Sequence, residues 1–196
     1  MLKVGITGGI GSGKSTVCQV FNTLGIPIFY ADDAAKYLMD NDILLTNSIK
    51  QLFGEGIYQN GKLDRIKVAS VVFKEPQKLH QLNALVHPAT INYGRQWVEK
   101  QTSRYIIKEA AIFFESGSYK EMDVMVGVYA PPELRIKRTI ERTHNSRESI
   151  MRRIANQMDE DEKMKRCDYV IVNDETKAII PQIITLHQNF LQKATQ

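Results

Sequence analysis

The clearest chemistry in the chain lies in one short run, Gly8-Gly9-Ile10-Gly11-Ser12-Gly13-Lys14-Ser15. It fits G-x-x-x-x-G-K-[ST] at every fixed position, a spacing suited to holding a polyphosphate. Glycines let the backbone curl until successive N–H groups point inward at phosphate oxygens. A helix opening at Lys14 adds its positive N-terminal end. Lys14 can then reach the β- and γ-phosphates, and Ser15 can set its hydroxyl on Mg²⁺. The expected nucleotide-binding residues are Gly9, Gly11, Ser12, Gly13, Lys14, Ser15 and Thr16, with Ser15 as the Mg²⁺ ligand. A dinucleotide fingerprint starting at Gly9 would need a third glycine where Lys14 stands, so that reading fails.

Other side chains have roles to fill beside this loop. Asp32 follows an apolar run and falls at the carboxyl edge of a sheet, where ligands bind in open α/β folds. A carboxylate there can accept an acceptor's hydroxyl proton or hold Mg²⁺ through water, or it can simply cap a helix. Asp33 can do the capping instead. Arg135, Lys137, Arg138, Arg142, Arg147, Arg152 and Arg153 form a basic cluster. Arg138 and Arg142 stand four apart on one helix face, and Thr143-His144-Asn145-Ser146 reads as a hinge between two helices. Guanidinium groups closing as a lid would neutralise phosphoryl charge; the plainer alternative is a solvated helix face. Arg65 can grip an acceptor phosphate or pair with a neighbouring acid. His87, held extended before Pro88, can face the acceptor or serve a turn. Glu115 can lie at the site or cap a turn.

The elements that must position these residues can be read from the hydrophobic pattern. Leu2–Thr7 predicts a buried strand, and Lys14–Leu24 a helix closed by Gly25. Residues 26–29 form a second strand, and Asp32 or Asp33 opens a helix through Met39. Residues 42–101 read as mostly helical, punctuated by Gly54-Glu55-Gly56, Asn60-Gly61 and His87-Pro88. Further strands are expected at 105–107, 124–129 and 169–172. Short apolar runs separated by helices predict an α/β fold: a five-stranded parallel sheet with flanking helices. We expect one domain over 1–196, with a helical insertion at about 42–100 that binds the acceptor and a lid at about 138–150.

Bulk composition narrows the class. The 196 residues are 43% hydrophobic and 24% charged, which suits a globular protein rather than a disordered one. No apolar run reaches the ~18 residues of a membrane span, and the N-terminus is too glycine-interrupted for a signal peptide. Cys18 and Cys167 form no C-x-x-C pair, read as small buried side chains, and suit a reducing compartment, so a cytoplasmic location is expected. The net charge of +4 can mean nucleic acid or an anionic metabolite. Aromatics are only 8% and are not interleaved with the basic cluster, so no nucleic-acid stacking platform is evident. Four histidines show no metal-ligand spacing. No N-K-x-D segment for guanine occurs. A short chain of this kind reads as a small-metabolite kinase using ATP with Mg²⁺, a step made by fold-level analogy.

The residues carry a closer likeness. Thr7-Gly8-Gly9-Ile10-Gly11-Ser12-Gly13-Lys14-Ser15-Thr16 resembles the opening of dephospho-CoA kinases. Ala31-Asp32 is similar to that family's D-A-D, with Tyr30 in place of the first Asp. Gly61-Lys62-Leu63-Asp64-Arg65 resembles its G-x-L-D-R, and Leu82-Asn83-Ala84-Leu85-Val86-His87-Pro88 its L-N-x-L-x-H-P. Ile112-Phe113-Phe114-Glu115 resembles its P-L-L-F-E, with Ala111 replacing the proline. Arg138 with Arg142, Arg153 with Gln157, and Asp168 with Asn173 follow its C-terminal pattern. The resemblance implies phosphorylation of the ribose 3′-hydroxyl of dephospho-CoA; another small-metabolite P-loop kinase is the alternative. It implies catalytic Asp32, Lys14 and Arg142, nucleotide-binding Arg138, and acceptor-binding Arg65, His87 and Glu115. The expected partners are ATP and dephospho-CoA, with no nucleic acid and no membrane, on a monomer or weak homo-oligomer.

Lys14 places positive charge where the β/γ oxygens gain negative charge in the transition state. Lys14→Ala is therefore expected to abolish nearly all turnover while circular dichroism and Tm stay close to wild type. A retained kcat would remove this loop from the reaction.

Overall fold

The computed structural model describes residues 1–195. The chain begins with strand β1 (Leu2–Thr7), helix α1 (Lys14–Thr23) and strand β2 (Ile28–Tyr30). It then enters α2 (Ala31–Asn41), α3 (Ile43–Phe53), the short strands β3 (Tyr58–Gln59) and β4 (Lys62–Leu63), α4 (Arg65–Lys74) and α5 (Pro76–Glu99). It returns through β5 (Tyr105–Glu109), α6 (Phe113–Ser116), β6 (Val124–Tyr129), α7 (Pro132–Thr143), α8 (Arg147–Ala155), α9 (Glu160–Lys165), β7 (Tyr169–Val172) and α10 (Ile179–Lys193). Two compact units result. One comprises Met1–Tyr30 with the chain from Gln101 onward, and the other Ala31–Lys100.

In the first unit five parallel strands lie in the order β2-β5-β1-β6-β7. β1 is central, with Val4 opposite Ile107 on one side and Val124 on the other. Val4, Ile6, Ile107, Val126 and Val128 are fully buried, the near-continuous apolar reading of parallel strands covered on both faces. Phe190 of α10 ties the core together. It stacks on Phe21 of α1 at 6.4 Å and meets Tyr105 and Tyr169 edge-on at 5.5 and 5.9 Å. Cys18 is buried in the same core, and burial pushes its thiol well above the ordinary range. Cys167 is only half-buried; burial, with Asp168 adding, still pushes it up to about 12. Neither thiol is activated.

The second unit has its own core, including Leu38, Leu45, Ile49, Ile57, Leu63, Val68, Leu82 and Val86. Asp42 caps α3 by accepting from Leu45 N–H, and Asp64 caps α4 by accepting from Lys67 N–H. Three local expectations are corrected here. α2 starts at Ala31, so Asp32 and Asp33 lie inside its first turn instead of capping it. Residues 58–63 form a two-stranded antiparallel ribbon within a stretch read as mostly helical. Pro88 does not end a helix, and His87 is not extended, because α5 runs through both. An internal proline costs a helix about 3 kcal/mol. Leu82 and Val86 on the preceding turns are buried, and that packing offsets the cost.

Phe190→Ala would remove a fully buried ring that touches three others. It is expected to cost about 3–5 kcal/mol in denaturant unfolding. A loss under about 1 kcal/mol would mean that the core closes without this ring.

Candidate active site

The phosphate loop leaves the carboxyl end of the central strand and enters α1. Gly11 and Gly13 take left-handed φ of 80° and 97°, which side-chain-bearing residues adopt at a cost. Space is as restrictive as torsion. A Cβ at Gly13 would collide with the Asn173 amide, and one at Gly11 with the Arg135 carbonyl. Asn173, which follows β7, donates to Ser12 O at 2.8 Å and so anchors the curl. The first intrahelical bond is Val17 N–H to Gly13 O. Helix geometry therefore leaves the amides of Lys14, Ser15 and Thr16 without intrahelical acceptors, aligned with the positive end of α1. An anion satisfies such a site directly.

Lys14 Nζ lies over the loop, donating to Gly8 O at 2.8 Å and Gly9 O at 3.3 Å. It also stands 3.9 Å from Glu109, whose carboxylate is buried at the end of β5. The sequence reading missed Glu109. Its signal was a charged pair, Lys108-Glu109, closing an otherwise apolar strand. The Ser15 hydroxyl is exposed and unpaired among the described residues, and the Ser12 hydroxyl is buried without a partner. Ser15 and Glu109 are hard oxygen donors. Among the described residues no group of three or more His, Cys, Asp or Glu side chains could hold a metal. That donor set fits Mg²⁺, which takes one or two protein oxygens and completes its shell with phosphate and water.

The basic cluster divides by environment. Arg135 is buried at 3% exposure and pairs with Glu160 at 2.8 Å. Arg138 donates to Asn173 O at 3.1 Å and meets Glu175 at 3.2 Å. Arg147 grips Glu133 through both Nη atoms, at 2.7 and 2.9 Å. Arg142, in the last turn of α7, is exposed and makes no ion pair among the described residues. The span 138–150 expected as a lid starts in the middle of α7. The other end of that helix is fixed against the loop through Arg135, and Thr139 is also buried.

Glu115 accepts Met158 N–H at 2.8 Å and lies 3.2 Å from Lys163, whose side chain is fully buried. Both contacts fall on Oε1. Lys163 also donates to Ala111 O at 2.8 Å; nothing in the sequence pattern had singled it out.

In the second unit Asp32 is exposed and makes no hydrogen bond or ion pair among the described residues, whereas Asp33 pairs with Lys36 at 2.8 Å. Arg65 donates to Asp40 at 2.9 Å and to Lys36 O at 3.1 Å. Burial would raise the Asp40 pKa. The Arg65 and Leu63 N–H hydrogen bonds, with Arg65 and Lys62 charge, outweigh that effect and hold it below the usual range. His87 is half-buried, and burial lowers its imidazole from the ordinary 6.5.

A phosphate loop at the end of a central parallel strand, followed by a helix and packed against Arg135 of α7, defines a P-loop kinase. Comparison with known proteins carries this further. The family model described as dephospho-CoA kinase matches residues 2–178. A dephospho-CoA kinase of Bacteroides fragilis is 39% identical over 193 residues, covering 98% of this chain and 94% of its own. The crystal structure of TT1252 from Thermus thermophilus superposes with a TM-score of 0.84 at 31% identity, covering 98% of this chain and 97% of that one. Dephospho-CoA kinase from Campylobacter jejuni gives 0.71 at 27% identity, covering 97% and 98%. The chain belongs to the dephospho-CoA kinase family.

Because the His87 pKa is lowered on folding, the unfolded chain binds more protons there, and stability rises with pH. Its contribution is complete above 6.5 and is lost as pH falls through the lower folded-state value. The Tm is expected to drop between about pH 7.5 and about pH 5, and His87→Gln to make that drop smaller. An unchanged pH dependence in the variant would show that His87 is not held neutral by burial.

Proposed function

We propose that this protein transfers the γ-phosphoryl group of ATP to the ribose 3′-hydroxyl of dephospho-CoA, giving coenzyme A and ADP. The carrying observation is the family match over residues 2–178, on a chain whose phosphate loop is complete. In this reading the amides of Lys14, Ser15 and Thr16 hold the β-phosphate, and Lys14 leaves the Gly8 and Gly9 carbonyls for the β/γ oxygens. Arg142 meets the γ-phosphoryl, and Arg138, anchored at Asn173, lies on the nucleotide side. Mg²⁺ arriving with ATP would be held by Ser15 and, through water, by Glu109, and would neutralise phosphate charge.

On the acceptor side the 3′-hydroxyl oxygen bonds to the γ-phosphorus as the bond to the β-bridging oxygen breaks. Its proton passes to Asp32. The assignment of acceptor binding to the inserted unit is supported by topology, since that unit begins directly after β2 with the turn that carries Asp32. Arg65 would exchange Asp40 for an acceptor phosphate, His87 would offer a neutral imidazole, and Glu115 retains Oε2 for a substrate hydroxyl. A cytoplasmic setting, with no membrane partner, is part of the same reading. Among the described residues no helix is long and apolar enough to cross a membrane.

The test is ATP consumption against a panel of acceptors. Dephospho-CoA is expected to support turnover where nucleosides, nucleoside monophosphates and shikimate do not; a different preferred acceptor would overturn the assignment. In the same assay Asp32→Asn should lower kcat by about two orders of magnitude, with the KM for ATP nearly unchanged. Asp33→Asn should cost little. Weakened Mg²⁺-dependent ATP binding in Asp32→Asn would place this carboxylate in the metal's shell instead.

A further inference from the structure

The phosphate loop has more glycines than its motif requires. G-x-x-x-x-G-K-[ST] fixes glycine at Gly8 and Gly13 only, yet Gly9 and Gly11 are glycine too. Gly9 does not owe this to a left-handed backbone, because it is absent from the positive-φ positions. A Cβ at Gly9 would lie 2.5 Å from the Arg135 guanidinium carbon and 2.6 Å from Glu160 Oε2. Glu160 Oε1 accepts Gly9 N–H at 3.1 Å, and Gln157 Oε1 accepts Ile10 N–H at 3.2 Å.

A buried ion pair is a poor stabiliser, since desolvation offsets most of its Coulomb gain. Arg135 and Glu160 are 4% and 13% exposed at the side chain, and Arg135 Nε is buried without a partner among the described residues. Two apolar side chains would fill the same space at no electrostatic cost. They could not bond the Gly9 amide. A carboxylate can, but its charge beside an anion-binding loop would repel a triphosphate unless a cation cancels it.

We propose that Arg135, Glu160 and Gln157 are positioning residues for ATP: they clamp the first turn of the phosphate loop, and Arg135 neutralises the carboxylate that does the clamping. Gly9 is glycine so that the pair can lie against its backbone. The Gly9 and Ile10 amides are taken up by the clamp, and the loop is held in the curl that presents the α1 amides. The same pair ties α9 to α7, the helix that carries Arg138 and Arg142.

The inference rests on the nucleotide role proposed for the loop, so it is tested by ATP affinity in calorimetry without acceptor. Wild-type turnover with dephospho-CoA tests the acceptor assignment separately. The double variant Arg135→Met/Glu160→Met leaves no orphaned charge, and its Tm is expected to stay within a few degrees of wild type. At a temperature well below melting it should bind ATP at least about tenfold more weakly, the effect of losing the Gly9 bond and the curl it fixes. Its KM for acceptor should stay within about twofold, since uniform damage would move both substrates. Gln157→Met, which orphans no charge, should bind ATP about threefold more weakly at unchanged Tm. Wild-type ATP affinity in the folded double variant would overturn the clamp. If the double variant does not fold, wild-type affinity in Gln157→Met would overturn it alone. An equal rise in both substrates' KM would also reduce the trio to a structural role.

Discussion

Three amides at the start of α1 have no acceptor within their own helix, and the arrangement of the first unit follows from keeping them aligned. A loop that curls tightly enough to present them must pass through left-handed torsions at Gly11 and Gly13. Such a backbone has little intrinsic preference for one shape. Its shape is imposed from outside, by Asn173 on Ser12, by Glu160 and Gln157 on Gly9 and Ile10, and by the Arg135 carbonyl pressed against Gly11. The central position of β1, bonded on both sides, holds the root of the loop just as firmly.

Charge is distributed by the same logic. Seven basic residues between 135 and 153 suggest a polyanion surface when read as a string. In the fold Arg135 is internal, Arg138 is shared between a carbonyl and Glu175, and Arg147 is paired twice with Glu133. Arg142 is left exposed and unpaired among the described residues. A guanidinium already bonded to a carboxylate has less to gain from a phosphate, so net charge alone says little about what this face binds. Lys14 and Lys163 show the converse, with cations held against backbone carbonyls and Lys14 also beside the buried Glu109 carboxylate, where desolvation sharpens the interaction.

What the sequence determined by itself is what depends on local pattern. The bounds of β1, β6 and β7 were legible because each reads as a short, mostly apolar run. The start of α1 and the phosphate loop were legible because glycine, lysine and serine at that spacing have few other uses. The tertiary structure alone decided what depends on distant neighbours. α5 continues through Pro88 because burial of Leu82 and Val86 outweighs a local penalty, and no window around His87 contains that term. Glu109 became part of the site because β5 lies beside β1, a pairing across about a hundred residues of chain. Gly9 looked like a phosphate glycine, but its small size is demanded by Arg135 and Glu160, more than a hundred residues further on. Sequence spacing shows which residues can do chemistry; which of them are free to do it depends on the partners folding supplies.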